Sequence, residues 1–265
     1  MNITICIKQV PDNIGTRIDG YYNAVNRSET EGIINPSDLF AIGKAIQIKE
    51  KNGGKLTVLC MGPLSAKPLL NDVLAMGVDR AVLLQDSIFV GSDTLATAYI
   101  LSRGIKKIGQ YDLVICGKES SDGGTAQVGL MLAEKLQIPS VSCTKEISVV
   151  DSKHVICYRR TDYWDEKINI STPALLTIDD NESLPFQTVE GVVASENKEL
   201  LVYTSEDLDI NEKKCGLKGS PTRVVDMQLM NPTRKECYMF SESDIPTALA
   251  QLLITKLNTM EKEKN

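Results

Sequence analysis

The chain has 265 residues, 42% of them hydrophobic and 24% charged, with a formal net charge of −6. That composition is ordinary for a globular protein and suits one large domain or one domain with an arm. The acidic balance argues against a nucleic-acid binder, which needs basic surface to neutralise phosphate, and no apolar run approaches the roughly 20 residues that cross a bilayer.

The opening MNITICIKQV lacks the basic flank and longer apolar core of a signal peptide, so it reads as a first strand of a cytoplasmic protein. Residues 3–10 are apolar and β-branched, a buried strand. Residues 36–51 place Leu39, Phe40, Ile42, Ala45, Ile46 and Ile48 at broadly helical spacing and are followed by Gly53 and Gly54. A strand at 56–61, a helix at 66–76 ending at Gly77, and a strand at 80–84 come next. Ser92, Asp93 and Thr94 open a helix to about residue 107, with Ser92 as its N-cap. A strand at 113–116 and a helix at 125–136 complete a series of βα units, which implies a parallel sheet with helices on both faces. After Pro139 the segments 141–150, 155–160 and 167–171 are short and β-rich, and read as antiparallel additions to the sheet. PALLTID at 173–179 is another buried strand. From about residue 181 the chain is polar and irregular until an amphipathic helix at 245–257. The predicted division is an α/β domain over 1–180 and, over 181–265, an extended C-terminal arm and helix that pack on a partner subunit.

The seven cysteines include no CxxC, and Cys6, Cys60, Cys116, Cys143 and Cys157 sit in or beside apolar runs, as reduced thiols do. His154 has no metal-ligand cluster around it and reads as a half-exposed strand residue. Ligands of open parallel sheets sit at the carboxyl ends of the strands, and Lys8, Met61, Gly62 and Gly117 fall on that edge. Four segments meet there. The first is 6–12, from Cys6 to Asp12. The second is NPSD, Asn35 to Asp38, where a plain helix start with Asn35 or Ser37 as N-cap and Pro36 placed early is an equally good account. The third is CMGP at 60–63, which a tight strand-to-helix turn also explains. The fourth is CGKESSDGGTAQV at 116–128. Strand, small-residue loop and helix start together make an anion site, because glycines admit a phosphate to the backbone and free N–H groups point at it. Its candidate contacts are Cys116, Gly117, Lys118, Ser120, Asp122, Gly123, Gly124, Thr125, Ala126, Gln127 and Val128. Its spelling is neither Walker A nor GxGxxG.

This loop resembles the adenine-nucleotide loop of electron-transfer flavoprotein β subunits, and most closely the DGxTAxVG form of the flavin-bifurcating branch. The resemblance covers nearly the whole chain: IKQVPD at the end of the first strand, NPSD before the first long helix, a GP turn after the second strand, LAMGVDRA at 74–81, SDTLATAYIL at 92–101 and GLKGSPTRV at 216–224. It implies an adenine-nucleotide α-hydrolase-like fold and an α subunit carrying one FAD. It implies AMP in the cleft of conventional members, and in bifurcating members a second FAD whose ADP half takes the AMP position. It also implies NADH as electron donor, with ferredoxin or flavodoxin and a dehydrogenase, such as an acyl-CoA dehydrogenase, as acceptors. SDTLAT is then expected to set Asp93, Thr94 and Thr97 against the ring system, at a distance from the glycine loop that AMP does not bridge. An N-capped helix with two outward threonines is the plainer account of that segment. A universal-stress-type ATP- or AMP-binding protein shares the architecture, but such domains are usually shorter and lack the GLKGSPTRV arm.

The chain also departs from the family pattern. Leu130 stands where the bifurcating motif usually has proline, and Asn13 where some conventional members have an aromatic. VEGVVASENKELL occupies the dehydrogenase-recognition region without the usual lysine-rich run, and charge influences partner choice. RRTDYWDEKIN at 159–169 is idiosyncratic; Tyr163 and Trp164 suit either a partner contact or a hairpin tip packed on its own sheet.

Overall fold

The computed structural model describes residues 1–12, 18–19, 24–25, 32–149, 151, 153–179, 184–225, 247 and 249–255. The chain divides into two compact units, Met1–Met227 and Gln228–Asn265. The first unit opens with β1 (Asn2–Ile7), β2 (Gln9–Pro11), β3 (Ile18–Asp19), β4 (Ala24–Val25) and β5 (Gly32–Ile34). Then come α1 (Pro36–Asn52), β6 (Lys55–Met61), α2 (Lys67–Ala75), β7 (Arg80–Leu84), α3 (Thr94–Ile108), β8 (Leu113–Gly117) and α4 (Val128–Leu136). The chain continues through β9 (Ser140–Val149), β10 (His154–Arg160), β11 (Asp165–Ser171) and β12 (Ala174–Ile178) to α5 (Val189–Ser195), β13 (Glu199–Tyr203) and α6 (Gly216–Gly219).

Among the described residues, nine strands form one sheet in the order β11-β10-β9-β12-β8-β1-β6-β7-β13. All neighbouring pairs from β9 to β13 along that order run parallel. The antiparallel addition is therefore narrower than expected: β9 lies parallel to β12, and only β10 runs against its neighbours β9 and β11. The period-2 alternation of each strand feeds two cores. Ile3, Ile5 and Ile7 pack with Ala41, Ile42 and Ala45 of α1 and Leu70, Val73 and Leu74 of α2. Cys6, Leu59, Val82 and Leu84 pack on the other face with Ala98, Leu101 and Ile105 of α3 and Leu132, Ala133 and Leu136 of α4. The sheet is doubly wound, and burial on both faces explains why its central strands β12, β8, β1, β6 and β7 are apolar runs rather than alternating.

The compact unit extends beyond the expected boundary near residue 180. Residues 199–203 add β13 to the β7 edge, with Leu200 and Val202 on one core and Leu201 and Tyr203 on the other. Just before it, α5 packs against α2, and Lys198 Nζ donates to the Leu74 carbonyl at 2.8 Å. Polar composition concealed this strand, whose side chains alternate between the two cores. In the second unit, residues 247 and 249–255 are helical; the ends of the expected helix at 245–257 lie outside the described residues. Asn13 also lies outside them.

Two local expectations change. Asp93, not Ser92, caps α3, accepting from Leu95 N and Ala96 N at 3.0 Å each. Tyr163 and Trp164, 84% and 70% exposed, project from the β10–β11 hairpin instead of packing on the sheet.

Candidate functional site

The carboxyl ends of β1, β6, β7 and β8 open onto one cleft of about 1040 Å³. Among the expected site residues, those that line it are Cys6, Lys8, Asn35, Asp38, Met61, Gly62, Asp93, Thr94, Thr97, Cys116, Gly117, Lys118, Ser120, Gly123, Thr125, Ala126, Gln127 and Val128. Asp122 and Gly124 are outside the lining, and both shape the loop behind it. Asp122, with 8% of its side chain exposed, pairs with Lys8 Nζ at 2.5 Å. Gly124 takes φ +57°, and no heavy atom lies within 4 Å of where a Cβ would stand. Its conformation, not crowding, calls for glycine.

The floor is built from the end of β1 and the start of α1. Asn35 occupies the N-cap position of α1 but makes no side-chain cap. Buried to 1% exposure, it instead holds the glycine loop: its Nδ2 donates to the Glu119 carbonyl at 2.8 Å, and its Oδ1 accepts from Ser121 N at 3.0 Å. Asp38, also buried, accepts from the Lys8 backbone N–H at 2.7 Å. Burial pushes its carboxyl up to about 7, against hydrogen bonds from Lys8, Asn35 and Gly117 that favour the charged form. Cys6 and Cys116 face each other across β1 and β8. The Cys6 thiol is raised well above its usual pKa by its hydrogen bond with Cys116 and by burial, which makes it an inert part of the floor.

The loop wall reaches further than expected before the helix begins, since α4 starts at Val128 rather than at Thr125. Ala126 lines the cleft with φ +53°, a left-handed conformation that costs a non-glycine residue about 1–3 kcal/mol and marks sites where backbone is held for a purpose. The two lysines among the described lining residues both have carboxylate partners: Lys8 has Asp122 and Lys118 has Asp179, the latter at 2.8 Å. The hydrogen bond that Lys118 donates to Asp179 raises the Lys118 pKa, and burial opposes it. An anion in this cleft therefore meets backbone N–H groups and the hydroxyls of Ser120 and Thr125 more than bare positive charge.

The opposite wall is formed by Asp86–Thr97 residues that sequence reasoning had only partly identified. Asp86, Ser87, Phe89, Val90 and Gly91 line the cleft beside the expected Asp93, Thr94 and Thr97. Their position directly after the third parallel strand was the available signal. Asp93 lines the cleft, but its carboxylate is engaged elsewhere: Oδ1 caps α3, and Oδ2 accepts from Thr222 N at 3.1 Å and Thr222 Oγ1 at 2.7 Å. Partial burial opposes ionisation there, but these hydrogen bonds outweigh it and lower the carboxyl pKa. Nor do the walls stand fully apart as expected, because Thr94 Oγ1 donates to Gln127 Oε1 at 3.3 Å. Gln9, Val10 and Pro11 of the expected 6–12 segment line a further side together with Gly32 of the paired strand β5, which the sequence reading missed.

Comparison with known proteins places this cleft in a family. Residues 23–207 match the electron transfer flavoprotein domain. The chain is 43% identical over 236 residues to the electron transfer flavoprotein subunit beta of Thermoanaerobacterium thermosaccharolyticum, covering 88% of this chain and 90% of that one. The chain belongs to the electron-transfer flavoprotein β-subunit family. It is also similar to the caffeyl-CoA reductase-Etf complex subunit CarD of Acetobacterium woodii, 37% identical over 84% of this chain and 86% of the relative. The acryloyl-CoA reductase electron transfer subunit gamma of Anaerotignum propionicum is 39% identical, with the same two coverages. Membership in the electron-transfer flavoprotein β-subunit family sets aside the universal-stress alternative. Among the described residues no helix is long and apolar enough to cross a membrane.

Proposed function

We propose that this chain is the β subunit of a bifurcating electron-transfer flavoprotein, holding FAD in the cleft and working as a heterodimer with an α subunit. The observation that carries this reading is the continuity of the cleft, about 1040 Å³, from the glycine loop at 116–128 to the second wall at 86–97. That volume is at the upper end of the roughly 300–1,000 Å³ of small-molecule sites and suits a dinucleotide better than AMP. The donor set fits as well. Gly123 and the left-handed Ala126 give a diphosphate close access to the loop backbone, with Gly124 shaping the loop behind them, while Thr94 and Thr97 offer hydroxyls at the other wall.

When bound, FAD supplies two-electron exchange with NADH and one-electron exchange with acceptors. The chain's own residues bind and orient. Asn35 and Lys8 fix the glycine loop, Asp38 ties α1 to β1, and Asp93 fixes the start of α3. The relatives named for caffeyl-CoA and acryloyl-CoA reductase support a CoA-ester dehydrogenase or reductase as one electron partner. The low-potential partner in this reading is ferredoxin or flavodoxin. Val189, Val192 and Val193 of α5 are exposed and give the dehydrogenase an apolar surface in place of the lysine-rich run.

AMP in a conventional β subunit is the second reading. The Thr94–Gln127 contact favours it, because a dinucleotide spanning both walls has to part that hydrogen bond. Anaerobic titration of the purified heterodimer with NADH separates the two. Bleaching of two flavins per heterodimer supports the bifurcating reading, and a single flavin that NADH does not reduce supports the AMP reading.

A further inference from the structure

The GLKGSPT segment has a role that cofactor contact does not cover. Between Ser205 and Thr222 the chain runs behind the 86–94 wall and bonds to it repeatedly. Ser205 donates from N and Oγ to Asp86 Oδ2, at 3.0 and 2.5 Å. Gly216 N donates to Ser92 Oγ at 3.0 Å. Ser220 Oγ accepts from Asp93 N at 2.8 Å, and Thr222 closes on Asp93 Oδ2 with both its N–H and its hydroxyl. The approach is tight: Gly216 has φ +56°, and a Cβ there would lie 2.4 Å from the Ile88 carbonyl oxygen. Pro221, between the two hydroxyl residues, stiffens the stretch by fixing its own φ.

Thr222 hydrogen-bonds the wall shortly before the first unit's boundary at Met227. Val224 and Val225 beyond it are 65% and 86% exposed. The same carboxylate thus caps the helix whose first turn lines the cleft and holds the chain just before it leaves the first unit.

We propose that Ser220 and Thr222 are positioning residues of the cleft, which couple nucleotide occupancy to the C-terminal segment that follows them. The inference rests on reading the cleft as a nucleotide site. A nucleotide that orders Thr94 and Thr97 also orders Asp93, and so favours the closed Thr222 clasp. Conversely, a force that draws Thr222 away leaves the Asp93 carboxylate held by its helix cap alone and loosens the wall. Such coupling is reciprocal, since each event changes the equilibrium of the other by the same factor.

The test uses the heterodimer, with FAD affinity and amide hydrogen exchange measured with and without saturating FAD. In the unaltered protein, FAD should slow exchange across 217–225 as well as at the start of α3. Thr222→Val keeps the shape and backbone N–H but loses the hydroxyl. It should weaken FAD about fivefold or more and abolish the FAD-dependent slowing at 217–225, while Thr222→Ser restores both. FAD binding to Thr222→Val with unchanged affinity, or no response of 217–225 in a protein that does bind FAD, overturns the coupling. If neither FAD nor AMP binds the unaltered heterodimer, the nucleotide reading of the cleft fails, and the coupling falls with it.

Discussion

Lys8 and Asp122 form an ion pair at 2.5 Å that joins the end of the first strand to the glycine loop. Lys8 Nζ also reaches Ser120 Oγ at 3.4 Å. The pair is asymmetric, with the lysine side chain 39% exposed and the aspartate 8%. Removing the cation takes the ion pair from a nearly buried carboxylate, at the place where a diphosphate would add more negative charge.

Lys8→Met should therefore weaken nucleotide binding and lower stability, the latter by about 1–3 kcal/mol, the range for a buried polar group that loses a hydrogen-bond partner. Lys8→Met with Asp122→Asn should recover much of the stability, because it also removes the buried charge that Lys8 balances. Denaturant unfolding of the two variants checks this. Equal stability of the single and double variants would show that the pair does not hold the loop.

Asn35→Ala should loosen residues 119–121 without shortening α1, because Asn35 makes no side-chain cap to that helix. Losing a buried amide that satisfies two backbone groups costs about 1–3 kcal/mol. Faster amide exchange at Ser121 with unchanged helical circular dichroism is the expected result, and a fall in helicity would assign Asn35 to the cap instead.

Asp38 predicts a pH dependence of unusual sign. Its carboxyl is raised from 3.8 to about 7 in the folded state, so the folded protein holds that proton more tightly than the unfolded chain. Its contribution is most favourable below about pH 4 and is lost as pH rises towards 7. Asp38→Asn should flatten the stability profile between pH 4 and 7 relative to the unaltered protein. Identical slopes in that window would mean that Asp38 titrates normally.

Gly124 has open space around it but a left-handed backbone, so conformation should decide which substitutions survive. Asn tolerates that region and a β-branched residue does not. Gly124→Asn should keep most nucleotide affinity, and Gly124→Val should lose it with helical content intact. Equal retention in both would remove the loop conformation from the binding account.

Much of this architecture was legible because parallel strands buried on both faces are written as apolar runs. The strand at 80–84 was predicted with the bounds it has, and those at 56–61 and 113–116 to within one residue. β13 was not read, although ELLVY has the character of strands accepted elsewhere, because the surrounding polar sequence outweighed a five-residue run. The cleft's two principal walls were legible from strand ends and glycines. The roles of individual polar residues were not. Asn35 spells a helix cap and Asp93 a flavin contact, and only tertiary placement shows that one holds the glycine loop and the other holds Thr222.

Extraction and chromatography of the nucleotides bound to the purified heterodimer test the central claim most directly. The account predicts two FAD per heterodimer and no AMP, with loss of one FAD in Gly124→Val. One FAD and one AMP per heterodimer would contradict it and make this chain a conventional β subunit.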